Sequence, residues 1–144
     1  MNSVAYARNV EFGRAEANVA AILLAEDDEA VRTFVTRALT HRGHSVVAVS
    51  DGQAAIRALE AQTFDLMLTD IVMPGLDGLA LAETAGKINP KMTVLMMTGF
   101  AAARDRVSQD GGGVAVADVI TKPFSLKQIC SAVDSALDGQ KPAA

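Results

Sequence analysis

Hydrophobic residues occur in short continuous runs that alternate along the chain with more polar, amphipathic stretches. The runs are VAAILLA, SVVAV, FDLMLT, MTVLMM and VADVIT, which begin at positions 19, 45, 64, 92 and 116. Continuous apolar runs of this length are typical of parallel strands that are buried on both faces of a sheet. The sequence therefore predicts five buried β-strands.

The stretches between and after these runs have the spacing of helices that bury one face. The first of them places five apolar residues on one helical face, namely Val31, Phe34, Val35, Ala38 and Leu39. Further helices are predicted through Leu59, around Leu79 to Lys87, over Ala101 to Gln109 and over Leu126 to Leu137. Strands that alternate with helices predict a (βα)₅ domain with a doubly wound parallel sheet and right-handed crossovers.

Residues with functional chemistry stand directly after four of the five apolar runs. They are Glu26 and Asp27 after the first, Asp70 after the third, Thr98 after the fourth, and Lys122 with Pro123 after the fifth. Ligands bind at the carboxyl ends of parallel strands, so these residues should converge. Three carboxylates there would repel one another unless a hard cation such as Mg²⁺ joined them, and the hydroxyl and ammonium would suit a phosphoryl group.

Taken singly, these residues have plainer explanations. Asp70 could cap a turn or helix, and Glu26 and Asp27 could be acidic residues at a helix N-terminus, where the dipole favours negative charge. His41 and His44, in a polar turn, are interpreted as surface histidines rather than metal ligands. The coincidence of the whole set with strand ends favours a functional site.

Four separated motifs resemble the receiver domain of two-component response regulators. They are ILLAEDDEAVR, LTDIVMPGLDG, LMMTGFAA and VITKPF, and they occur in that order. The resemblance covers residues 19–138, with an N-terminal extension at 1–18 and a C-terminal tail at 139–144. The fold expected is a flavodoxin-like (βα)₅ sandwich whose five-stranded parallel sheet has the order 2-1-3-4-5.

The resemblance also implies a role for each residue of the acidic cluster. Asp70 would be the phosphoacceptor, and Glu26, Asp27, Asp70 and the backbone carbonyl of Val72 would hold Mg²⁺. Val72 and Phe100 would border the path of the water that hydrolyses the phosphoryl group. Both are apolar, so slow hydrolysis is expected.

On the opposite side, Thr98, Lys122 and Pro123 would bind the phosphoryl group and act as a switch, with a cis peptide bond between Lys122 and Pro123. Receivers commonly carry an aromatic residue three positions before this lysine, and its rotation reports phosphorylation. That position is Val119 in this chain. The usual coupling between the threonine and an aromatic residue therefore has no counterpart on the fifth strand.

A narrower resemblance links LLAEDD, DGQAA, LTDIVMPGLDG, MTGFAA and VITKPF to the CpdR-type single-domain receivers. Those proteins regulate cell-cycle proteolysis together with the ClpXP protease, and the terminal Ala143-Ala144 resembles degradation tags read by that protease. The expected protein is a stand-alone receiver that takes its phosphoryl group from a histidine kinase or histidine phosphotransferase. Its output would be a protein contact, and it would not be an enzyme in the turnover sense.

Two other kinds of protein remain as alternatives. One is a receiver-shaped binding module that signals without phosphorylation, which the missing aromatic residue at Val119 keeps open. The other is a Mg²⁺-dependent phosphohydrolase with an aspartyl-phosphate intermediate. Haloacid-type hydrolases place a second aspartate two residues after the nucleophile, where this chain has Val72.

Composition narrows the possible partners. The net charge of -4 gives no electrostatic reason to expect a nucleic acid. No apolar run has the length of a membrane span, and the N-terminus lacks the apolar core of a signal peptide. The single cysteine, Cys130, excludes an internal disulfide and reads as a small buried hydrophobic residue. We therefore expect a cytoplasmic protein without a membrane partner.

Overall fold

The structure is a computed structural model that describes residues 19–100, 105, 107 and 116–139. Its strands are β1 (Ala21–Ala25), β2 (Ser45–Val49), β3 (Leu66–Asp70), β4 (Thr93–Thr98) and β5 (Asp118–Thr121). Its helices over the described ranges are α1 (Glu29–His41), α2 (Gly52–Ala61), α3 (Gly78–Ile88) and α4 (Leu126–Asp138). Each element lies within a few residues of its predicted position.

The five strands form one parallel sheet in the order β2-β1-β3-β4-β5. Strand β1 pairs on both sides, so that Ile22 is aligned with Val46 in β2 and with Leu66 in β3. The predicted flavodoxin-like fold and strand order are confirmed. All carboxyl ends of the strands consequently meet at one edge of the sheet.

Each face of the sheet has its own hydrophobic core. On β1, Ile22 and Leu24 pack into a cluster beneath α1 and α4, whereas Leu23 and Ala25 join a second cluster beneath α2 and α3. Alternate residues of one strand thus pack into the hydrophobic cores on opposite faces of the sheet. This arrangement explains why the strands are continuously apolar rather than alternating.

Side-chain caps start all four described helices close to the sheet. Asp28, Asp51, Asp77 and Ser125 are the N-cap residues, and each accepts a hydrogen bond from a backbone N–H group inside its helix. Such caps satisfy donors that have no partner within the helix. Asp28, one residue beyond Glu26 and Asp27, therefore caps α1.

Two predictions about individual side chains were wrong. His44 is not a surface residue: only 6% of it is exposed, and its Nδ1 accepts a hydrogen bond of 3.1 Å from the backbone N–H of Ala20. Phe34 was expected in the core but is 41% exposed, and it instead lies beside Phe124 at a ring-centroid distance of 6.4 Å. Cys130 is buried as predicted.

Several predictions concern residues outside the described ranges. These are the extension at 1–18, the terminal Ala143-Ala144 and most of the helix at Ala101 to Gln109, in which residues 105 and 107 alone are described and both are helical. None of the described helices combines the length and the apolar character that crossing a bilayer requires.

Candidate functional site

The loop after β1 brings two acidic side chains to the carboxyl edge of the sheet. Glu26 is completely buried, and its backbone N–H donates to the carbonyl of Val49 at the end of β2. Its carboxylate is held at both oxygens: Oε2 accepts from the N–H of Asp28 at 2.9 Å, and Oε1 accepts from Lys122 Nζ at 2.6 Å. Asp27, the next residue, is exposed.

Asp70 is the last residue of β3, and 7% of it is exposed. One carboxylate oxygen, Oδ2, accepts a hydrogen bond of 2.8 Å from Lys122 Nζ. The other, Oδ1, accepts from the backbone N–H of Val72 at 3.2 Å. The side chain is therefore oriented from two sides.

The motif LTDIVMPGLDG shapes the loop that follows Asp70. Gly75 has a φ of 76°, in the left-handed region that favours glycine. Gly78 begins α3, and a Cβ atom at that position would lie 2.2 Å from the carbonyl oxygen of Asp70. The helix can thus approach the end of the strand only because position 78 has no side chain.

Lys122 connects the two buried acidic groups. Its Nζ donates to Glu26 and to Asp70, while its backbone N–H donates to the carbonyl of Thr98 at 2.8 Å. The peptide bond between Lys122 and Pro123 is cis, as predicted. Residues from three different strand ends are therefore joined through one lysine.

Thr98 ends β4 and is 1% exposed. Its hydroxyl oxygen accepts a hydrogen bond of 3.0 Å from the N–H of Phe100, so it holds the start of the following loop. Phe100 is 62% exposed and Val72 is 43% exposed. Val119 packs at the margin of the core beneath α2 and α3.

Burial and neighbouring charges shift the pKa values of Glu26 and Lys122. Burial raises the pKa of Glu26 above its ordinary value, and the charge of Asp70 adds to this, although hydrogen bonds from Lys122 and Asp28 oppose it. Burial alone would lower the pKa of Lys122, but its hydrogen bonds to Asp70 and Glu26 outweigh that effect and raise it. The lysine is therefore held in its charged form.

The donor set fits a small divalent cation. Glu26, Asp27 and Asp70 each offer a carboxylate oxygen, and the three oxygens lie within 4.8 Å of one another. Mg²⁺ prefers oxygen ligands and usually binds through one or two carboxylates while retaining water. Asp27 is exposed, whereas Glu26 and Asp70 each accept a hydrogen bond from Lys122.

One residue of this site was not predicted from the sequence. Arg32, in the first turns of α1, donates from Nη1 to the carbonyl of Glu26 at 2.8 Å and to that of Asp27 at 3.4 Å. Its position could have suggested this contact, because the side chain of an arginine in the first turns of a helix is long enough to contact the loop before that helix. Its carbonyl partners could not be read from residue types.

Comparisons with known proteins agree with this geometry. The sequence profile described as the response regulator receiver domain matches residues 22–134. The chain belongs to the response regulator receiver family.

Among curated relatives, the response regulator receiver protein CpdR of Brucella abortus (strain 2308) is 39% identical over 116 residues, which cover 81% of this chain and 95% of CpdR. The transcriptional regulatory protein TcrA of Mycobacterium tuberculosis is 34% identical over 108 residues, covering 75% of this chain but only 42% of TcrA. This receiver is therefore similar in extent to CpdR, and it spans less than half of TcrA.

Solved structures show the same fold. A CheY-like receiver domain protein from Methanospirillum hungatei JF-1 matches with a TM-score of 0.77 and 28% identity, over 85% of this chain and 96% of that one. NtrX from Brucella abortus in complex with ATP matches with a TM-score of 0.77 and 30% identity, over 85% of this chain and 28% of NtrX.

Proposed function

We propose that this receiver accepts a phosphoryl group on Asp70 from a phosphohistidine, in the presence of Mg²⁺, and signals through protein contacts. The observation that carries the proposal is the position of Lys122 Nζ between Asp70 Oδ2 and Glu26 Oε1, at 2.8 and 2.6 Å. The nucleophile, the acidic pair and a fixed positive charge thus share one edge of the sheet. The donor would be a histidine kinase or a histidine phosphotransferase.

Each residue of the site has a separate role in the proposed phosphoryl transfer. A carboxylate oxygen of Asp70 attacks the phosphorus atom, the bond between phosphorus and the donor's imidazole nitrogen breaks, and an acyl phosphate forms. When bound, Mg²⁺ would offset negative charge on the carboxylate and the phosphoryl oxygens. It would be held by Glu26, Asp27, Asp70 and the carbonyl of Val72. Lys122 supplies a compact positive charge to the transferred group.

Thr98 offers a route from phosphorylation to a change in shape. Its hydroxyl accepts from the N–H of Phe100 at 3.0 Å and donates to the carbonyl of Phe100 at 3.5 Å, a long hydrogen bond that the hydroxyl could exchange for a better acceptor. We propose that the hydroxyl donates instead to a phosphoryl oxygen on Asp70 and that the loop at Phe100 shifts with it. Val119 has no aromatic ring whose rotation could report this shift. The loop at the exposed Phe100 would therefore be the surface that changes on phosphorylation and is recognised by a partner protein.

Phosphorylation is tested by incubation with Mg²⁺ and acetyl phosphate, followed by intact mass measurement. The wild-type chain should gain one acid-labile phosphoryl group, and Asp70→Asn should gain none. Asp65→Asn, at the residue just before the start of β3, is a matched control, since its amide oxygen can still accept the N–H of Ala21. Labelling of Asp70→Asn equal to that of Asp65→Asn would refute the assignment.

The same experiment separates the alternatives. A phosphorylation-independent module would gain no mass under any condition. A phosphohydrolase would release inorganic phosphate over many turnovers, whereas a receiver with Val72 beside its nucleophile should retain the group. One phosphoryl group per chain, slowly lost, is the expected result.

The similarity to CpdR supports a further part of the proposal, a role in regulated proteolysis with a ClpXP-type system. Phosphorylation of Asp70 would change the affinity of the receiver for the protease's unfoldase subunit. Binding of purified ClpX to phosphorylated wild-type protein and to Asp70→Asn should differ several-fold. Equal binding would remove the proteolytic role and leave the phosphoacceptor role in place.

A further inference from the structure

Arg32 lies within α1 and points back toward the end of β1. Its Nη1 donates to the carbonyl oxygens of both Glu26 and Asp27, at 2.8 and 3.4 Å. The side chain is neither fully buried nor exposed, and its guanidinium therefore sits at the rim of the site. One charged group thus holds two consecutive peptide units of the loop that carries the acidic pair.

Holding these carbonyls constrains the directions of the acidic side chains. The peptide unit between Glu26 and Asp27 contains the first carbonyl, and its plane sets the ψ of Glu26 and the φ of Asp27. Those two torsions decide how the two carboxylates are turned relative to each other. The carbonyl of Asp27 likewise belongs to the peptide that leads into the N-cap, Asp28.

The other contacts of this loop act at different points. The backbone N–H of Glu26 is bound to β2, and the Glu26 carboxylate is bound by Asp28 and Lys122. Asp27 is exposed, so packing does little to orient its carboxylate. The Arg32 contacts are the ones that act on its backbone carbonyl.

We propose that Arg32 is a positioning residue for the divalent-cation site, acting through the backbone of Glu26 and Asp27. The proposal rests on the proposed function, because it concerns the cation that phosphoryl transfer to Asp70 requires. Arg32 touches neither the cation nor the phosphoryl group in this role. It holds the loop in the form in which Asp27 and Asp70 can share one ion.

An arginine suits this task better than a lysine. The guanidinium is planar and weakly hydrated, and its donors have fixed directions, so one nitrogen can serve two carbonyls with little loss of entropy. A lysine ammonium is compact and strongly hydrated. Arg32→Lys should therefore recover only part of the effect.

The test measures Mg²⁺ affinity by calorimetry in wild-type protein, Arg32→Met, Arg32→Lys and Arg37→Met. Arg37 is an exposed arginine on the same helix and provides the matched control. Loss of a group that orients ligands typically weakens metal binding by a factor of ten or more. We expect Arg32→Met to bind Mg²⁺ about tenfold more weakly, Arg32→Lys to fall between, and Arg37→Met to match the wild type.

If Arg32 only stabilised the fold, its replacement would lower the melting temperature without changing Mg²⁺ affinity. The melting temperature of each variant is therefore also measured, in metal-free buffer. Equal Mg²⁺ affinity in folded Arg32→Met and wild-type protein would overturn the proposal. If Arg32→Met does not fold, Arg32→Lys decides: wild-type affinity in that variant overturns the proposal, and weakened affinity supports it.

Amide hydrogen exchange separates this proposal from the proposed function. In metal-free protein, Arg32→Met should speed exchange at Asp27 and Asp28, and unchanged exchange there would count against positioning. If wild-type protein binds no Mg²⁺ and takes no phosphoryl group, the proposed function fails. The exchange rates still show whether Arg32 orders the loop.

Discussion

His44 shows how a single residue can have a role that its neighbours in sequence conceal. Its Nδ1 must be unprotonated to accept the N–H of Ala20. Burial lowers its pKa below the ordinary 6.5, the charge of Asp134 opposes that shift, and the charge of Arg42 adds to it. The folded protein therefore binds fewer protons at this site than the unfolded chain.

We predict that His44 makes the fold less stable as the pH falls below about 6.5, because the unfolded chain then takes up protons that the folded chain resists. Urea unfolding between pH 7.5 and pH 5 measures the effect. His44→Gln should lose this part of the pH dependence, whereas His41→Gln, at an exposed position in the same turn, should retain it. Identical pH profiles for both variants would refute the role of His44.

Val72 and Phe100 should control the lifetime of the phosphoryl group. Both are apolar and exposed beside the site, so neither can orient an attacking water. Replacing Val72 with Asn and Phe100 with Gln should shorten the half-life of phosphorylated Asp70, by about a hundredfold if one positioned water supplies a typical acid–base contribution at its low end. The decay of the phosphorylated mass measures it. An unchanged half-life would place control of water access elsewhere.

At the scale of elements, the contact between β3 and α3 depends on the absence of a side chain at position 78. We predict that Gly78→Ala destabilises the fold by about 2–3 kcal/mol, because its Cβ would lie 2.2 Å from the Asp70 carbonyl. Gly86→Ala is the matched control. It lies in the same helix with nothing within 4 Å of an added Cβ, and should stabilise the fold by about 0.5–1 kcal/mol.

Chemical denaturation of both glycine variants gives the two free energies of unfolding. Since Gly78 adjoins Asp70, its variant should also be phosphorylated more slowly, while Gly86→Ala should react like the wild type. Similar stabilities for the two variants would mean that the strand end adapts to the added methyl group.

The elements themselves were predictable, because their signals are local. Apolar runs marked the strands, and Asp28 and either Ser50 or Asp51 could be expected as caps from their positions just before helical stretches; the structure gives Asp28 and Asp51. The convergence of Glu26, Asp70 and Lys122 followed from the rule that parallel strands share one carboxyl edge. What the sequence could not show were contacts between distant residues or with backbone carbonyls, such as His44 with Ala20 and Arg32 with the loop after β1.

At the scale of the whole molecule, the acidic cluster should make stability depend on the cation. We predict that Mg²⁺ at about ten times its dissociation constant stabilises the fold by about 1.4 kcal/mol. Asp27→Ala should raise the metal-free melting temperature by roughly 2–4 °C through relief of repulsion, and should abolish most of the Mg²⁺ effect. Glu60→Ala, an exposed acidic control on α2, should do neither.

Differential scanning calorimetry with and without Mg²⁺ checks this prediction. The controls separate a specific cluster from the general benefit of lowering negative charge, since the chain carries a net charge of -4. If Glu60→Ala shifts the melting temperature as much as Asp27→Ala, the effect belongs to overall charge and not to the site.

The lysine that joins Glu26 to Asp70 lies 96 positions after the first and 52 after the second. During synthesis, the acidic loop and Asp70 leave the ribosome well before Lys122 does. A nascent or prematurely terminated chain therefore carries the carboxylates without the cation that organises them. Under the proposed function, we expect a chain that ends before β5 to be a poor phosphoacceptor, because it lacks the positive charge that joins the two carboxylates.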